Sequence, residues 1–173
     1  MAQLEARPIL TKSLTSGVIC AGGDVLCQQG IERVHQHDFV RTARFTACGL
    51  FLVGPVMHNW FGLLARLYPA SMGQGKSMLA KVVTDQLVMA PLFNPLFVTA
   101  LFTMEGRPAE AWPVIKEIYV DMMLTNYKLW PAAQAVNFFF VPVHFQVLAS
   151  NFIALVWNTY MSYINSLAKQ EPS

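Results

Sequence analysis

The sequence predicts an all-α membrane protein: a bundle of four transmembrane helices with proline kinks, plus one short amphipathic interfacial helix. The 173-residue chain is 54% hydrophobic and 13% charged, about half the charged share of an average soluble domain. Its mean hydropathy is +0.40. No Asp, Glu, Lys or Arg lies between Lys128 and Lys169, a run that exceeds the ~20 residues a helix needs to cross a bilayer core.

Four apolar segments supply the predicted spans within a single transmembrane domain. The spans are predicted at about 9–31, 39–67, 78–104 and 127–165. The stretch at about 109–123 repeats its apolar residues at helical spacing but is too short and too charged to span. We therefore expect it to lie in the plane of the interface.

Prolines and glycines inside the apolar runs predict bends and close helix contacts. A proline removes a backbone hydrogen bond and kinks a helix. Glycines in the first span, Gly17 and Gly23 among them, allow a neighbouring helix to approach closely. The positions expected to bend their helices are Gly54-Pro55, Pro91, Trp130-Pro131 and Pro142.

The last apolar segment carries polar residues at helical spacing, here called the polar stripe. Steps of three, four and seven residues return to nearly the same helix face, so these side chains either line a pore or bond helices together. The Pro131 and Pro142 breaks single out the part nearest Pro142, and the later asparagines are expected to hold helices together. The stripe consists of Gln134, Asn137, His144, Asn151, Asn158 and Asn165.

Charged residues also fall inside or beside the other spans. A charge at membrane depth is costly and faces protein or water. Asp24 is therefore expected to have a basic or amide partner from the Arg41–Arg44 turn or from the final helix. Lys81 and Asp85, four residues apart, can pair on one helix face. The alternative is that these acids lie at the mouths of a pathway. The polar residues grouped with them are Gln28, His58 and Gln86.

Several function classes are excluded by the sequence. A net charge of +2 is too small for a nucleic-acid binder. His35 and His37 are too few ligands for a metal site, and no cofactor motif is present. Residues 1–14 lack the pattern of a signal peptide. Basic residues divide evenly between the two predicted sides, so the positive-inside rule gives no orientation.

Many of these residues, in this order, resemble the Mpv-seventeen family, which includes the twenty-two-kilodalton peroxisomal membrane protein. The matching residues cover nearly the whole chain. They are Ala6-Arg7-Pro8, Thr11, Gly23-Asp24, Gln28-Gln29, Arg41, Arg44, Gly54-Pro55, His58, Trp60, Asp85-Gln86, Pro91, Trp130-Pro131, Gln134, Asn137-Phe138, Val141-Pro142, His144 and Trp157-Asn158.

The resemblance implies a four-span protein of an organelle membrane with no cofactor and no enzymatic reaction. Mitochondrial inner membrane is favoured over the peroxisomal membrane because the N-terminal half and the Trp-Pro segment look most like the mitochondrial branch. Channel activity and a link to mitochondrial DNA maintenance and nucleotide supply are also implied. One departure is Gln146, where the family commonly has Arg. At about 200° from His144 on an ideal helix, Gln146 is expected to lie off the polar stripe.

Three hypotheses of function follow. The first is a weakly selective channel for small solutes or ions, its path lined by the final helix in the lipid bilayer. Because four helices enclose little room, a homo-oligomer is favoured. The alternative is a non-conducting scaffold in which the stripe bonds helices. An intramembrane enzyme is disfavoured because Ser150 has no activating neighbour, and Asp24 and Asp85 belong to different spans.

Overall fold

The structure, a computed structural model, describes residues 8–167 apart from the side chain of Asn165. Every regular element in this range is helical, so the predicted all-α class is confirmed. Four membrane crossings and a pattern of kinks remain predictions. The α-helices are α1 (Pro8–Leu26), α2 (Phe39–Cys48), α3 (Gly54–Leu67), α4 (Gln74–Thr84), α5 (Ala90–Met104), α6 (Pro108–Phe140) and α7 (Val143–Leu167).

Three wide, π-helical turns accompany these helices. Cys27–Ile31 ends α1, Gly49–Val53 joins α2 to α3, and Asp85–Met89 joins α4 to α5. In each turn a backbone N–H donates to the carbonyl five residues earlier. Two of the turns come just before a proline, whose ring clashes with the carbonyl four residues earlier. The carbonyl that the proline ring would meet cannot keep its regular helical hydrogen bond, and the helix widens at this place.

The two helical segments joined by these turns are long and apolar enough to cross a membrane. They are Phe39–Leu67 and Gln74–Met104, with 29 and 31 residues. Large apolar side chains also lie on the exterior: Val18 is 71% exposed, Phe51 80% and Phe152 76%. Many buried side chains are polar. This inside-out distribution suits contact with lipid, because a soluble protein rarely exposes large apolar patches.

The chain divides into two compact units. Within the described residues, the first comprises 8–56 and 151–167, and the second 57–150. In the first unit, glycines bring helices together: a Cβ added to Gly49 would lie 2.4 Å from the Ser16 carbonyl oxygen. One added to Gly23 would lie 2.6 Å from the Cβ of Asn158. Gly23 therefore allows the close helix approach that the sequence predicts.

The second unit is built on an apolar cluster. Phe61 and Leu64 from α3, Phe138 from α6 and Val147 from α7 form its centre. The rings of Phe61 and Phe138 meet edge to face, with 5.5 Å between their centroids. The partly buried residues packed against this cluster are Met57, Trp60, Tyr68, Met78 and Val82.

The structure corrects the predicted elements after residue 105. The interfacial helix predicted at 109–123 is not separate but forms the first half of α6, which continues through Pro131 to Phe140. The sequence becomes less charged after residue 123, and this change suggested a boundary between two helices. Residues 124–127 contain neither glycine nor proline, so nothing in the backbone ends the helix there. Pro131 removes one backbone bond and does not end the helix.

The predicted final segment, 127–165, is likewise two helices. Val141, between α6 and α7, is extended with φ −99° and ψ 125°. The cause is Pro142, because a proline disfavours helical geometry in the residue before it. The polar stripe therefore does not run along one continuous helix.

Candidate functional site

Each unit contains a buried cluster of polar side chains around one carboxylate. In the first unit the Asp24 carboxylate is fully buried. The Nε of Arg41 lies 2.8 Å from Asp24 Oδ1, as an ion pair outside hydrogen-bond geometry. Gln28 Nε2 donates to Oδ2 at 2.8 Å. Thr42 and Ser162 hydroxyls donate to Oδ2 and Oδ1, each at 2.5 Å. These five residues form the Asp24 cluster.

Arg41 also joins this cluster to the loop after α1. Its Nη1 and Nη2 each donate to one carboxylate oxygen of Glu32 at 2.8 Å. Burial raises the pKa of Glu32, but hydrogen bonds from Arg41 and Ser166 outweigh it and hold the pKa at about 2. Arg41 Nη2 further donates to the Ser162 carbonyl at 3.0 Å. With both acids compensated, the Asp24 cluster is suited to locking helices together.

The second unit contains a different arrangement around Asp85, which is 4% exposed. Trp60 Nε1 donates to Oδ1 at 2.7 Å. Oδ2 accepts from the amide nitrogens of Gln86 at 2.8 Å and Gln134 at 3.2 Å. All three donors are neutral. Between residues 8 and 167 the structure shows no ion pair for Asp85, so the Lys81–Asp85 pair that the sequence allows is absent.

Further amides extend this arrangement in two directions. Asn94 Nδ2 donates to Asn126 Oδ1 at 3.3 Å, and Asn126 Nδ2 donates to Gln86 Oε1 at 2.9 Å. On the other side, Asn137 Nδ2 donates to Gln134 Oε1 at 3.1 Å. Both branches therefore point their donors towards the carboxylate. We call the whole set the Asp85 network: Trp60, Asp85, Gln86, Asn94, Asn126, Gln134 and Asn137.

One polar atom of the network has no partner in the described chain. Asn137 Nδ2 contacts the Ser150 hydroxyl at 2.9 Å and the Gln146 carbonyl at 3.3 Å, but its Oδ1 is buried without a hydrogen bond. A buried acceptor left unsatisfied costs about 1–3 kcal/mol. Asn137 Oδ1 is therefore an acceptor that no described residue uses.

The structure divides the polar stripe differently from the prediction. Gln134 and Asn137 lie in the Asp85 network, but His144 is exposed, with its ring 4.4 Å from that of Phe145. Gln146, expected off the stripe, is 2% exposed and donates to the Val141 carbonyl at 3.0 Å. The angular count fails here because the Pro142 break resets the helix between Asn137 and His144.

The later stripe residues contact α1. Asn151 Oδ1 accepts from the Ser16 hydroxyl at 3.3 Å, and Asn158 Nδ2 lies 3.3 Å from the Cys20 sulfur. Asn151 Nδ2 is buried without a hydrogen-bond partner among the described residues. The side chain of Asn165 lies outside what the structure describes.

The remaining predicted positions flank these clusters. At Gly54 the backbone lies close to α1, since an added Cβ would be 2.4 Å from the Cα of Ser13. Pro142 is exposed. The other predicted residues are partly buried: Arg44, Pro55, His58, Pro91, Trp130 and Pro131.

The sequence did not assign several residues to these sites. Asn94, Asn126 and Trp60 in the Asp85 network, and Glu32 and Ser162 around Arg41, emerge only from the structure. The sequence does show an amide side chain in each of two apolar segments, Asn94 and Asn126. Their contact cannot be predicted from either segment alone, because it depends on how the two helices pack. Among the described residues no group of three metal-ligating side chains occurs.

Comparison with known proteins identifies the family. The profile of the Mpv17 / PMP22 family matches residues 102–162. "Protein SYM1" of Gibberella zeae is 37% identical over 173 residues, covering 95% of this chain and 94% of that protein. The chain belongs to the Mpv17 / PMP22 family. The family resemblance predicted from the sequence is thereby confirmed.

Other Mpv17 / PMP22 relatives match over most of their length. "Mitochondrial inner membrane protein Mpv17" of Xenopus laevis is 35% identical and covers 92% of this chain and 91% of that protein. The protein of the same name from Rattus norvegicus is 36% identical, with 92% of each chain covered. No solved structure matches the chain.

Proposed function

We propose that this member of the Mpv17 / PMP22 family is a multi-pass protein of the mitochondrial inner membrane that forms a weakly selective channel for small solutes. The location is supported by the names of the relatives from Xenopus laevis and Rattus norvegicus. The path is assigned to the Asp85 network of the second unit.

The observation that carries the channel proposal is the environment of Asp85. This carboxylate lies inside Gln74–Met104, a helix able to cross a membrane. Among the residues that the structure describes, it accepts hydrogen bonds only from neutral donors. Ionisable groups within membrane-spanning segments are expensive and usually mark ion or proton pathways. Asp24, by contrast, has a guanidinium partner and therefore needs no such explanation.

The composition of the Asp85 network supports weak rather than strict selectivity. Its amides offer both donors and acceptors and carry no net charge. One carboxylate gives a preference for cations, whereas strong selectivity requires rings of like charge or a fixed ring of carbonyls. We expect small neutral solutes and cations to pass more readily than anions.

The test is solute release from liposomes containing the purified full chain. Wild-type protein should release small solutes faster than protein-free liposomes, and planar-bilayer currents should favour cations. Asp85→Asn should reduce that cation preference several-fold. The matched control is Asp121→Asn, since Asp121 is an exposed acid on α6. Release equal to that of empty liposomes would overturn the channel proposal.

A non-conducting scaffold is the second candidate. It is favoured by the contacts of Asn151 and Asn158, which reach Ser16 and Cys20 rather than an open path. On this hypothesis, Asn137→Leu changes stability but leaves membrane permeability at the level of empty liposomes. A change in single-channel current in Asn137→Leu would instead favour the channel.

Two finer parts of the proposal have different grounds. Because four helices enclose little room, the chain is proposed to assemble as a homo-oligomer, which light scattering of the detergent-solubilised protein tests by its protein mass. The second part comes from the family resemblance. Solute passage is proposed to support nucleotide supply for mitochondrial DNA. Cells carrying Asp85→Asn should then have a lower mitochondrial DNA copy number than cells carrying Asp121→Asn.

A further inference from the structure

Two buried charges of opposite sign lie one turn apart in the second unit and do not pair. Lys81 is 8% exposed and Asp85 4% exposed. Residues four apart on a helix are neighbours, and an acid and a base at this spacing ordinarily form an ion pair. Within residues 8–167, neither forms one with the other or with any further charged group.

The packing of α4 explains why both charges are buried. Met78 and Val82, on the same side of the helix as Lys81 and Asp85, pack against the apolar cluster of the second unit. The side chain of Lys81 is therefore buried on the same helix face as Met78 and Val82. Within the part of the chain that the structure describes, its ammonium donates no side-chain hydrogen bond that would replace the missing ion pair.

The contacts of Asp85 explain why the charges stay apart. Oδ1 is taken by the Trp60 indole, and Oδ2 by the amides of Gln86 and Gln134. These donors lie on α3, on the adjacent residue and on α6, and they fix the carboxylate in a position that excludes a contact of 4.0 Å or less with Lys81. The helix thus presents a separate ammonium and a separate carboxylate.

We propose that Lys81 and Asp85 form a binding site for a small zwitterionic solute of the α-amino acid class, a proposal that rests on the channel function by naming its solute. The carboxylate of the solute binds the Lys81 ammonium, and its ammonium binds Asp85. The unsatisfied Oδ1 of Asn137 is a further buried acceptor of the same network, because Asn137 donates to Gln134, which donates to Asp85.

The charge balance favours a zwitterion over a simple ion. A cation at Asp85 leaves the buried ammonium of Lys81 uncompensated, and an anion at Lys81 leaves the carboxylate uncompensated. A simple ion therefore compensates only one of the two charges and binds less strongly than a solute that compensates both. A zwitterion compensates both charges at once and brings no net charge into an apolar surrounding.

Binding is tested first, without transport, on the detergent-solubilised full chain. Alanine should raise the thermal unfolding midpoint in a concentration-dependent way, since a ligand of the folded state stabilises it. Propionate, which lacks the ammonium, and glycinamide, which lacks the carboxylate, should produce no comparable shift. An equal shift with either compound overturns the proposal.

Variants identify the two charges as the binding groups. Lys81→Met and Asp85→Asn should each abolish the alanine shift, whereas Lys76→Met, at an exposed lysine on the same helix, should retain it. Circular dichroism and gel filtration confirm that each variant is folded. A shift that survives both single variants overturns the site.

Liposome flux separates failure of the site from failure of the channel. Alanine entering faster than propionate and glycinamide supports both proposals. Equal entry of all three solutes leaves a channel and overturns the zwitterion site. An alanine shift in detergent without flux above empty liposomes supports the site and overturns the channel.

Discussion

Arg41 connects three segments of the first unit at the scale of a single residue. It pairs with Asp24 on α1, binds Glu32 in the following loop and donates to Ser162 on α7. A guanidinium suits this position because its planar fork presents several donors in fixed directions. A lysine would offer one charge without that geometry.

Removal of the Arg41 charge is therefore expected to destabilise the protein strongly. Arg41→Met should lower the free energy of unfolding by about 3–5 kcal/mol, because it leaves Asp24 as an uncompensated buried charge. Arg41→Lys should recover only part of the loss. Denaturant titration of the detergent-solubilised protein measures these changes.

A double variant provides the control for Arg41. Arg41→Met with Asp24→Asn removes both charges and should be more stable than Arg41→Met alone. A double variant as unstable as the sum of both single variants would show that charge compensation is not the reason for the loss.

Glu32 predicts a pH dependence in the acid range. Its pKa is held at about 2 in the folded protein, against an ordinary value of 4.5. A depressed pKa means that the ionised group stabilises the folded state above about pH 4.5, and that this stabilisation is lost as the pH falls towards 2. The difference in unfolding midpoint between wild type and Glu32→Gln should therefore shrink over this interval.

The comparison for Glu32 is made across pH rather than at one value. Thermal unfolding monitored by circular dichroism at pH 7, 4 and 2.5 gives the difference at each point. A difference that stays constant from pH 7 to 2.5 would contradict the assigned role of the carboxylate.

At the scale of helices, glycine positions determine how closely neighbours approach in the first unit. Gly49→Ala should destabilise the protein by about 1–3 kcal/mol through overpacking, because the new Cβ would meet the Ser16 carbonyl, a backbone atom that cannot swing away. Gly62→Ala is the matched control, since nothing lies within 4 Å of its added Cβ.

The sign of the control distinguishes packing from helix propensity. An alanine replacing glycine inside a helix stabilises it by up to about 1 kcal/mol, so Gly62→Ala should raise the unfolding midpoint while Gly49→Ala lowers it. If both substitutions stabilise the protein, the close contact at Gly49 is not limiting.

Helix positions could be predicted from the sequence where periodicity operates within one helix. Asp24 and Gln28, four residues apart, do share the Asp24 cluster, and Gln134 and Asn137 do share the Asp85 network. The angular spacing of residues on a helix failed to place His144 beside Asn137, because Pro142 separates the two helices on which they lie. It also could not supply Asn94–Asn126, a contact between residues 32 positions apart, since such pairing depends on how whole helices pack.

For the whole molecule, the helix bounds change where the fourth crossing is expected. Between Lys128 and the end of α6 only twelve charge-free residues remain, about 18 Å of helix and too short for a ~30 Å hydrocarbon core. The 25 residues of α7 contain no formal charge and are long enough. We therefore expect the fourth crossing at Val143–Leu167 rather than across 127–165.

Cysteine labelling tests this topology. Ser71→Cys and Gly106→Cys lie at the two ends of Gln74–Met104, so a membrane-impermeant maleimide applied to one side should label one and spare the other. Tags at the two termini should lie on the same side after four crossings. The three native cysteines are buried, which keeps the background low. Termini on opposite sides would contradict four crossings.

The wide turn at Asp85–Met89 has a consequence for how this protein tolerates deletions. A π-helical turn contains one residue more than the regular helix needs, so a deletion of one codon within it would leave a continuous helix with normal backbone bonding. Because the wide turn absorbs its extra residue locally, deletion of Leu87, Val88 or Met89 would leave α5 in nearly its present rotation relative to α4 and keep Asn94 beside Asn126. A one-residue deletion in a helix without such a turn would instead rotate everything after it by about 100°. The polar network is thus protected against a one-residue deletion at this turn.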